Sequence, residues 1–271
     1  MPTAAVILNL ARQRHEAGDF AAADRLYRQV LEVEPACALA LVLLAITCHQ
    51  VGDFPQAESW YRRALALHPN DAEVHFRLAM ALVSLSRPDE AIEHLREAVR
   101  LRPDAPEPWN NLGNVLFLQG KTAEAVPCYR AAVRLRPGYA EACQNLGNAL
   151  REDDRVAEGL AWYRESVRLR PDIPKFRMNL AAALLETEGA DEAQGHLRHY
   201  LKLRPGAPRV LSALIANDLY ADTDPGPAEL RRWLDDPALP PMDRAHVHFI
   251  LAHLIDRAGQ PEEAFQHFAE T

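Results

Sequence analysis

The sequence predicts an all-α protein built as a solenoid, in which similar helix hairpins follow one another along the chain. The first observation is a set of prolines spaced 34 residues apart. The second is that long segments match when the sequence is shifted by that interval. The third is a leucine that recurs at one position of every unit. A fixed period of about 20 to 50 residues is typical of stacked repeats.

The period is most visible in the middle of the chain. The segment 109–137, WNNLGNVLFLQGKTAEAVPCYRAAVRLRP, matches 143–171 on a forward shift of 34 residues and 75–103 on a backward shift. The prolines that set the frame are Pro35, Pro69, Pro103, Pro137, Pro171 and Pro205. Such regularity is not expected in an ordinary globular core, and it predicts units that contact their neighbours in sequence.

Each unit reads as two helices. We number the repeat from 1 to 34 with the proline at position 32, so that the first repeat covers 4–37. Helix A is expected over about positions 1–14, a turn near 15, and helix B over about 18–31. Positions 8 and 20 carry Ala or Gly, and position 24 carries Tyr or Leu, which predicts large-against-small packing inside each hairpin. The leucines of position 7 are Leu10, Leu44, Leu78, Leu112, Leu146, Leu180 and Leu214.

The helix ends carry charges of the expected sign. Acidic residues stand near the start of each B helix, where they meet the positive end of the helix dipole. They are Asp19, Asp53, Asp89, Glu124, Glu158 and Asp191. Arg-Leu-Arg-Pro sequences end several B helices, and we interpret their arginines as solvated helix termini rather than a phosphate site.

These positions resemble the tetratricopeptide repeat, which has Leu at 7, small residues at 8 and 20, an aromatic residue at 24 and Pro at 32. The resemblance covers residues 4–207 and implies six repeats in a right-handed α-solenoid whose A helices line a concave groove. Position 4 is Trp only at Trp109, and Pro127 lies inside a B helix, where we expect a local kink rather than a break.

The period weakens after Pro205. Residues 208–244 are expected to form a degenerate repeat with a proline-rich irregular insertion, which includes a short amphipathic helix around Leu230, Trp233 and Leu234. The pattern resumes at Ala245, and 245–271 reads as a final, truncated hairpin. A solenoid normally ends in a polar capping helix, whereas this segment keeps Phe265 and Phe268. We therefore expect the natural chain to continue beyond Thr271.

Residues 234–270 bear a second resemblance, to the junction in bacterial proteins that join tetratricopeptide repeats to a C-terminal sulfotransferase domain. That resemblance implies a transferase domain further along the natural chain. The catalytic loop of the family has no counterpart in this sequence, so no catalytic residue is assigned.

The candidate binding site is an asparagine-rich groove formed by positions 2, 5, 6, 9, 12 and 13 of the A helices. Asparagine is a poor helix former, so its repeated use at such positions has a cost, and its amide can hold a peptide backbone by donating and accepting. The alternative is that these amides are merely solvated. The sequence motif NLGN resembles the asparagine ladder of the O-GlcNAc transferase repeat domain. The candidate residues are Arg77, Asn110, Asn111, Asn114, Asn145, Asn148, Lys175 and Asn179.

The same positions can be set against the carboxylate clamp of chaperone-binding tetratricopeptide domains. The residues Asn110, Asn114, Asn145, Lys175 and Asn179 match three of the five types, but two of the three positive charges of the clamp are missing. This disfavours capture of a C-terminal carboxylate and leaves backbone gripping by Asn114 and Asn145.

Composition excludes several classes of function. A net charge of -8 disfavours nucleic acid as a partner, and no apolar run is long enough for a membrane helix. The cysteines Cys37, Cys48, Cys128 and Cys143 lack paired spacing and read as buried thiols in a reducing compartment, and the absence of a signal peptide favours the cytoplasm. The histidines lack a complete ligand set, so we expect no metal, no cofactor and no catalysis. His15 and His49 share position 12, and we expect them to lie near each other and respond to pH near 6.

Three hypotheses follow from the sequence. The first is a non-catalytic scaffold that binds a protein or an extended peptide in its groove. The second is the substrate-recruiting part of a larger sulfotransferase. The third is an assembly module that makes its contacts through its convex face or its ends. The sequence does not specify the partner or the oligomeric state.

Overall fold

A computed structural model of the chain describes residues 3–187, 189–203, 206–221 and 224–271, and within these ranges the regular structure is entirely helical. Pro205, one of the prolines that set the 34-residue period, lies in the gap at 204–205 and therefore outside the described residues. The helices are α1 (Ala4–Glu16), α2 (Phe20–Val33), α3 (Ala38–Gln50), α4 (Phe54–Leu67), α5 (Ala72–Ser84), α6 (Pro88–Leu101), α7 (Pro106–Leu118), α8 (Thr122–Leu135), α9 (Ala140–Glu152), α10 (Val156–Leu169), α11 (Pro174–Leu185), α12 (Ala190–Leu203), α13 (Pro208–Ala216), α14 (Pro227–Leu234), α15 (Pro241–Arg257) and α16 (Pro261–Ala269).

The chain divides into two compact units, residues 1–138 and 139–271. In the first unit, α1–α8 form four hairpins, and α2, α4 and α6 each also pack against the A helix that follows. In the second unit, α9–α12 form two hairpins of the same kind, α13 and α14 both pack against α15, and α15 pairs with α16. This tandem packing confirms the all-α solenoid class that the period predicts.

Position 7 supplies the core of both units. Its leucines are at most 3% exposed from Leu44 to Leu214. Leu10 is the exception at 41% exposed, because α1 packs against α2 and has no hairpin on its other side within the described chain. The expectation of a buried leucine is therefore wrong at this one repeat.

Small residues at positions 8 and 20 let the two helices of a hairpin approach closely. In the hairpin α9–α10, a Cβ added to Gly159 would lie 3.1 Å from the carbonyl oxygen of Gly147. The tyrosine of position 24 fills the space beside this contact, and Tyr163 is fully buried. The large-against-small packing predicted from the sequence is thus present.

The turn near position 15 has a left-handed backbone. Gly18, Gly52 and Gly120 have φ angles between 71° and 84°, and Ser86 and Asp154 take the same conformation at 58° and 56°. Glycine adopts this region without the steric cost that other residues meet. The B helices that follow are capped as predicted in the first two hairpins, where Asp19 and Asp53 accept hydrogen bonds from backbone N–H groups of the first turn.

The irregular region contains the short helix that the sequence predicts. This helix is α14, and its Leu230 is fully buried. The helix after it starts earlier than predicted, since α15 begins at Pro241 rather than Ala245. Proline suits the first position of a helix because the missing N–H would be unpaired there anyway. Pro127, in turn, lies within α8, which continues through it to Leu135.

The B helices are linked by an arginine–glutamate ladder, in which position 25 of one repeat contacts position 19 of the next. The rungs Arg62–Glu90, Arg96–Glu124 and Arg164–Glu192 have N–O distances of 2.7–2.9 Å. Arginines at the ends of B helices also pair with carboxylates, as Arg100 does with Glu97 and Arg168 with Glu165. Exposed pairs of this kind each stabilise by less than about 1 kcal/mol, but they favour one alignment of neighbouring hairpins.

Candidate functional site

The predicted site lies on the A-helix face, by which we mean positions 2, 5, 6, 9, 12 and 13 of α1, α3, α5, α7, α9 and α11. In the first unit, Asn114 on α7 accepts a hydrogen bond from a buried tyrosine. The hydroxyl of Tyr129 donates to Oδ1 of Asn114 over 3.0 Å. Tyr129 reaches this position because Gly113 has no side chain, and a Cβ there would lie 2.7 Å from the ring.

The two other asparagines of α7 are placed differently. Asn111 is half-buried and donates from Nδ2 to the carbonyl oxygen of Glu107 over 2.9 Å, one turn back in its own helix. Asn110 is only 5% exposed. The expectation that position 5 faces an open groove is therefore wrong for Asn110, and Gln144, at the same position of α9, is 3% exposed. Both helices are packed on two sides, so position 5 falls into the interior.

Arg77 on α5 is held by groups of its own unit. Its Nε lies 2.7 Å from Oε1 of Glu73, and its charge partly opposes the rise that burial causes in the pKa of Tyr61. Burial and the nearby Arg77 charge lower the pKa of His49. Arg77 is therefore a tethered cation, with about 40% of its side chain exposed.

In the second unit, three side chains form one hydrogen-bonded network, with an ion pair beside it. The Tyr163 hydroxyl donates to Oδ1 of Asn148 over 2.9 Å, and Nδ2 of Asn179 donates to the same oxygen over 3.3 Å. Arg151 pairs with Glu186, with 2.9 Å between Nε and Oε2, and its charge partly opposes the rise that burial causes in the pKa of Tyr163. Asn148, Tyr163 and Asn179, at repeat positions 9, 24 and 6, thus meet at one point of the A-helix face, with Arg151 of position 12 beside them.

This network fixes which way the Asn148 amide points. The single hydroxyl hydrogen of Tyr163 is directed to Asn148, so the amide oxygen, rather than Nδ2, faces the tyrosine. Burial raises the pKa of Tyr163 to about 12, so the hydroxyl keeps that hydrogen at physiological pH. Within the described ranges, Nδ2 of Asn148 and Oδ1 of Asn179 have no partner. The pair therefore presents one donor and one acceptor group.

The remaining predicted residues of the second unit are Asn145 and Lys175. Asn145 is half-buried on α9, next to the buried Leu146. Lys175 is exposed near the start of α11 and lines a recess of about 660 Å³, which Asn179 also lines. Arg209 lines the same recess from α13. The sequence analysis missed Arg209 because it placed position 2 of α13 in the degenerate region, although its repeat position is that of Lys175.

Glycine at position 8 also indicates where an asparagine is held by a tyrosine, although the sequence pattern was interpreted only as close packing of the two helices. Gly113 and Gly147 are the glycines of the two NLGN segments, and each lies against the tyrosine that binds the following asparagine. A buried contact was missed as well, since Oγ of Ser166 lies 2.8 Å from Oε1 of Gln144. This contact gives the buried amide oxygen of Gln144 a partner, whereas its Nε2 is buried without one among the described residues.

The histidines and cysteines do not form a metal centre in the described part of the chain, where no three potential ligands converge. His15 and His49 each pack edge-on against a phenylalanine, Phe20 and Phe54 respectively, rather than forming the pair expected from their shared position. Burial raises the pKa of Cys48, Cys128 and Cys143 to about 11, so these thiols stay protonated and unreactive. Among the described helices, none has the length and apolar character needed to cross a membrane.

Comparison with protein families gives a match over most of the chain. The model of the family described as the cilia and flagella-associated protein 70 C-terminal domain, a tetratricopeptide domain, matches residues 2–209. No curated protein resembles the sequence closely enough to count as a relative.

Several solved structures share the fold. The crystal structure of MamA is 22% identical and covers 64% of this chain and 94% of its own, with a TM-score of 0.59. YrrB, described as a TPR protein with an unusual peptide-binding site, is 20% identical and covers 69% of this chain and 96% of its own, with a TM-score of 0.61. Pseudomonas aeruginosa pilF is 21% identical and covers 86% and 97%, also with a TM-score of 0.61. At these identities the likeness shows a tetratricopeptide fold.

Proposed function

Since this chain belongs to the family of the cilia and flagella-associated protein 70 C-terminal domain, we propose that it is a non-catalytic tetratricopeptide scaffold that binds a protein partner through an extended peptide segment. The observation that carries this proposal is the pair Asn148–Asn179. An extended peptide offers one N–H and one C=O per residue, and the free Nδ2 of Asn148 and Oδ1 of Asn179 match those two groups.

The network behind the pair favours binding because it is formed before any ligand arrives. Tyr163 is fully buried and donates to Asn148, and Asn179 donates to the same oxygen of Asn148. Side chains that are already fixed lose less conformational entropy when a ligand binds. Backbone contacts of this kind are independent of the peptide side chains, so they suit a scaffold that reads sequence elsewhere on its surface.

The proposal also includes three residues of the first unit, Arg77, Asn111 and Asn114, and, in the second unit, Asn145 and Lys175. The proposal also includes a cytoplasmic location and the division into six repeats over 4–207, an irregular region over 208–244 and a last hairpin over 245–271. YrrB supports the general idea, because its description names a peptide-binding site on the same fold.

The test uses a library of random 12-residue peptides displayed on phage and selected on the immobilised chain. A selected peptide is synthesised with a fluorophore, and its Kd is measured by anisotropy. Asn148→Ala and Asn179→Ala should each weaken binding by about 1–3 kcal/mol, because each leaves a peptide group unpaired. Asn9→Ala is the matched control, since Asn9 has the same repeat position as Asn179 and is exposed on α1. Equal affinity for all variants would remove the assignment.

A second candidate function is recruitment of substrates for a sulfotransferase domain in a longer protein. It rests on the resemblance of 234–270 to the junction of such proteins, and on the irregular segment that separates α13 from the hairpin α15–α16. Reading the gene past the codon of Thr271 tests it, and a stop codon there would exclude it.

A further inference from the structure

Position 2 of the A helices changes the sign of its charge along the chain. It is Glu73 on α5, Glu107 on α7 and Glu141 on α9, and it then becomes Lys175 on α11 and Arg209 on α13. The acidic members are neutralised inside their own repeats by the arginine of position 31. Glu73 lies 3.4 Å from Arg102, Glu107 pairs with Arg136, and Glu141 lies 3.9 Å from Arg170.

The two basic members are not neutralised in this way. Among the described residues, no carboxylate lies within ion-pair distance of Lys175 or Arg209, although most arginines of the chain have such a partner. Both cations line the α11–α13 recess, the space of about 660 Å³ introduced above, which lies wholly in the second unit. Like charges placed side by side without a partner cost free energy, which an anionic ligand would remove.

The other groups of the recess leave it net positive. Asp243 of α15 is its one acidic member. His246 of the same helix contacts Ser212 and lies close to Arg209. Its pKa is lowered, mainly by burial and also by the Arg209 charge, so His246 is neutral at pH 7. Met178, Tyr200 and Val210 form an apolar wall, which weakens the screening of the two cations by water.

We propose that the α11–α13 recess binds a carboxylate side chain of an acidic peptide, an inference that rests on the proposed function. Asn179 links the two sites, since it belongs to the backbone-binding pair and also lines the recess. A peptide held by Asn148 and Asn179 therefore continues towards Lys175 and Arg209, where an aspartate or glutamate side chain would neutralise both. The partner class is an acidic segment.

The experiment uses the same phage-displayed library of random 12-residue peptides and compares the unaltered chain with Lys175→Glu/Arg209→Glu. Glutamate is what α5, α7 and α9 carry at this position, so the double variant is compatible with the fold. The control is Arg134→Glu/Lys202→Glu, which changes the net charge equally at exposed cations outside the recess. Circular dichroism verifies that both variants are folded.

The expected result is enrichment of Asp and Glu in peptides selected by the unaltered chain and by the control, and loss of that enrichment with Lys175→Glu/Arg209→Glu. A synthetic selected peptide should lose at least about tenfold in affinity when its acidic residue becomes Gln, and a similar factor on the double variant. Amidating its C-terminus should have little effect, whereas a large loss would show that the terminal carboxylate is bound instead and would overturn the side-chain assignment.

Two further outcomes separate this inference from the proposed function. Selected peptides that need Asn148 and Asn179 but show no acidic enrichment would overturn the recess assignment and leave the scaffold intact. A library that yields no peptide dependent on Asn148 and Asn179 would overturn both.

Discussion

The hairpins α3–α4 and α9–α10 carry a tyrosine at the same repeat position, yet the surroundings of the two hydroxyls differ. Tyr61 of α4 is close enough to Arg77 of the next hairpin for that charge to lower its pKa against the effect of burial, whereas Tyr163 of α10 donates a hydrogen bond to Asn148 within its own hairpin. The residue facing the ring is Ala45 in the first case and Gly147 in the second. A Cβ on Gly147 would lie 2.8 Å from the Tyr163 ring, which is closer than real contacts allow.

The difference teaches that two neighbouring positions together decide what the tyrosine does, since positions 8 and 9 are Ala45 and Ile46 in α3 but Gly147 and Asn148 in α9. Both hairpins bury the ring completely, so the core is equally well filled in each. Glycine at position 8 lets the ring approach helix A closely, and asparagine at position 9 gives its hydroxyl an acceptor. The hairpin α7–α8, with Gly113, Tyr129 and Asn114, repeats the arrangement.

The largest effect is expected from Gly147→Ala. Alanine is the better helix former by about 1 kcal/mol, but the added methyl overpacks the Tyr163 ring at a cost of about 1–3 kcal/mol. We expect a net loss of about 1 kcal/mol in the free energy of unfolding, measured by urea denaturation, and weaker binding of a selected peptide. Gly195→Ala is the control, because nothing lies near its Cβ position on α12, and it should stabilise by about 0.5–1 kcal/mol. Equal stabilisation by both changes would contradict the comparison.

A smaller effect is expected from removing single hydroxyl groups. Tyr163→Phe leaves Asn148 without the donor that orients it and should cost about 1 kcal/mol. Tyr27→Phe should be neutral or stabilising, because the Tyr27 hydroxyl is buried without a partner in the described structure. Urea unfolding of the two variants measures the contrast. A loss of similar size at both positions would show that the asparagine contact is unimportant.

The smallest effect is a dependence of stability on pH. It distinguishes hairpins by the residues that they carry at repeat positions 4 and 23. In α5–α6 these positions are His75 and His94, whose Nδ1 atoms lie 2.9 Å apart, and Nε2 of His75 lies 2.9 Å from the carbonyl oxygen of Pro69. This contact requires one Nδ1 to be unprotonated. Burial lowers the pKa of His94, His75 and Arg62 lower it further, and Glu90 and Glu58 oppose them.

The lowered pKa of His94 determines whether stability rises or falls as the pH decreases. Because the folded pKa of His94 lies below the ordinary value of 6.5, the unfolded chain takes up the proton first as pH falls. The stability contribution is complete above pH 6.5 and decreases below it. His94→Gln should therefore lose less stability than the unaltered chain between pH 7.5 and 5.5, measured by urea midpoints, whereas His68→Gln, at an exposed position, should behave as the unaltered chain does. Identical pH profiles for all three would count against the histidine pair.

The sequence was sufficient to predict the fold because the repeated features are local and additive. A proline every 34 residues, leucine at position 7 and small residues at positions 8 and 20 each act within one hairpin or between neighbours. The site was less predictable. Helical periodicity places Asn110 on the same face as Asn111 and Asn114, but the structure buries Asn110 because α7 is covered on two sides. The partner of each tyrosine hydroxyl depends on how closely the ring approaches the A helix, which periodicity does not specify.

The arginine–glutamate ladder has a consequence for how the gene can change. Each rung joins residues 28 positions apart, from one repeat to the next, and every repeat has the same length. Excising residues 72–105 would bring Arg62 opposite Glu124, so the rung would form again at the new junction. Unequal recombination can therefore shorten or lengthen the protein in whole-hairpin steps at no electrostatic loss, whereas an insertion of any other length misaligns both the charges and the leucines beneath them.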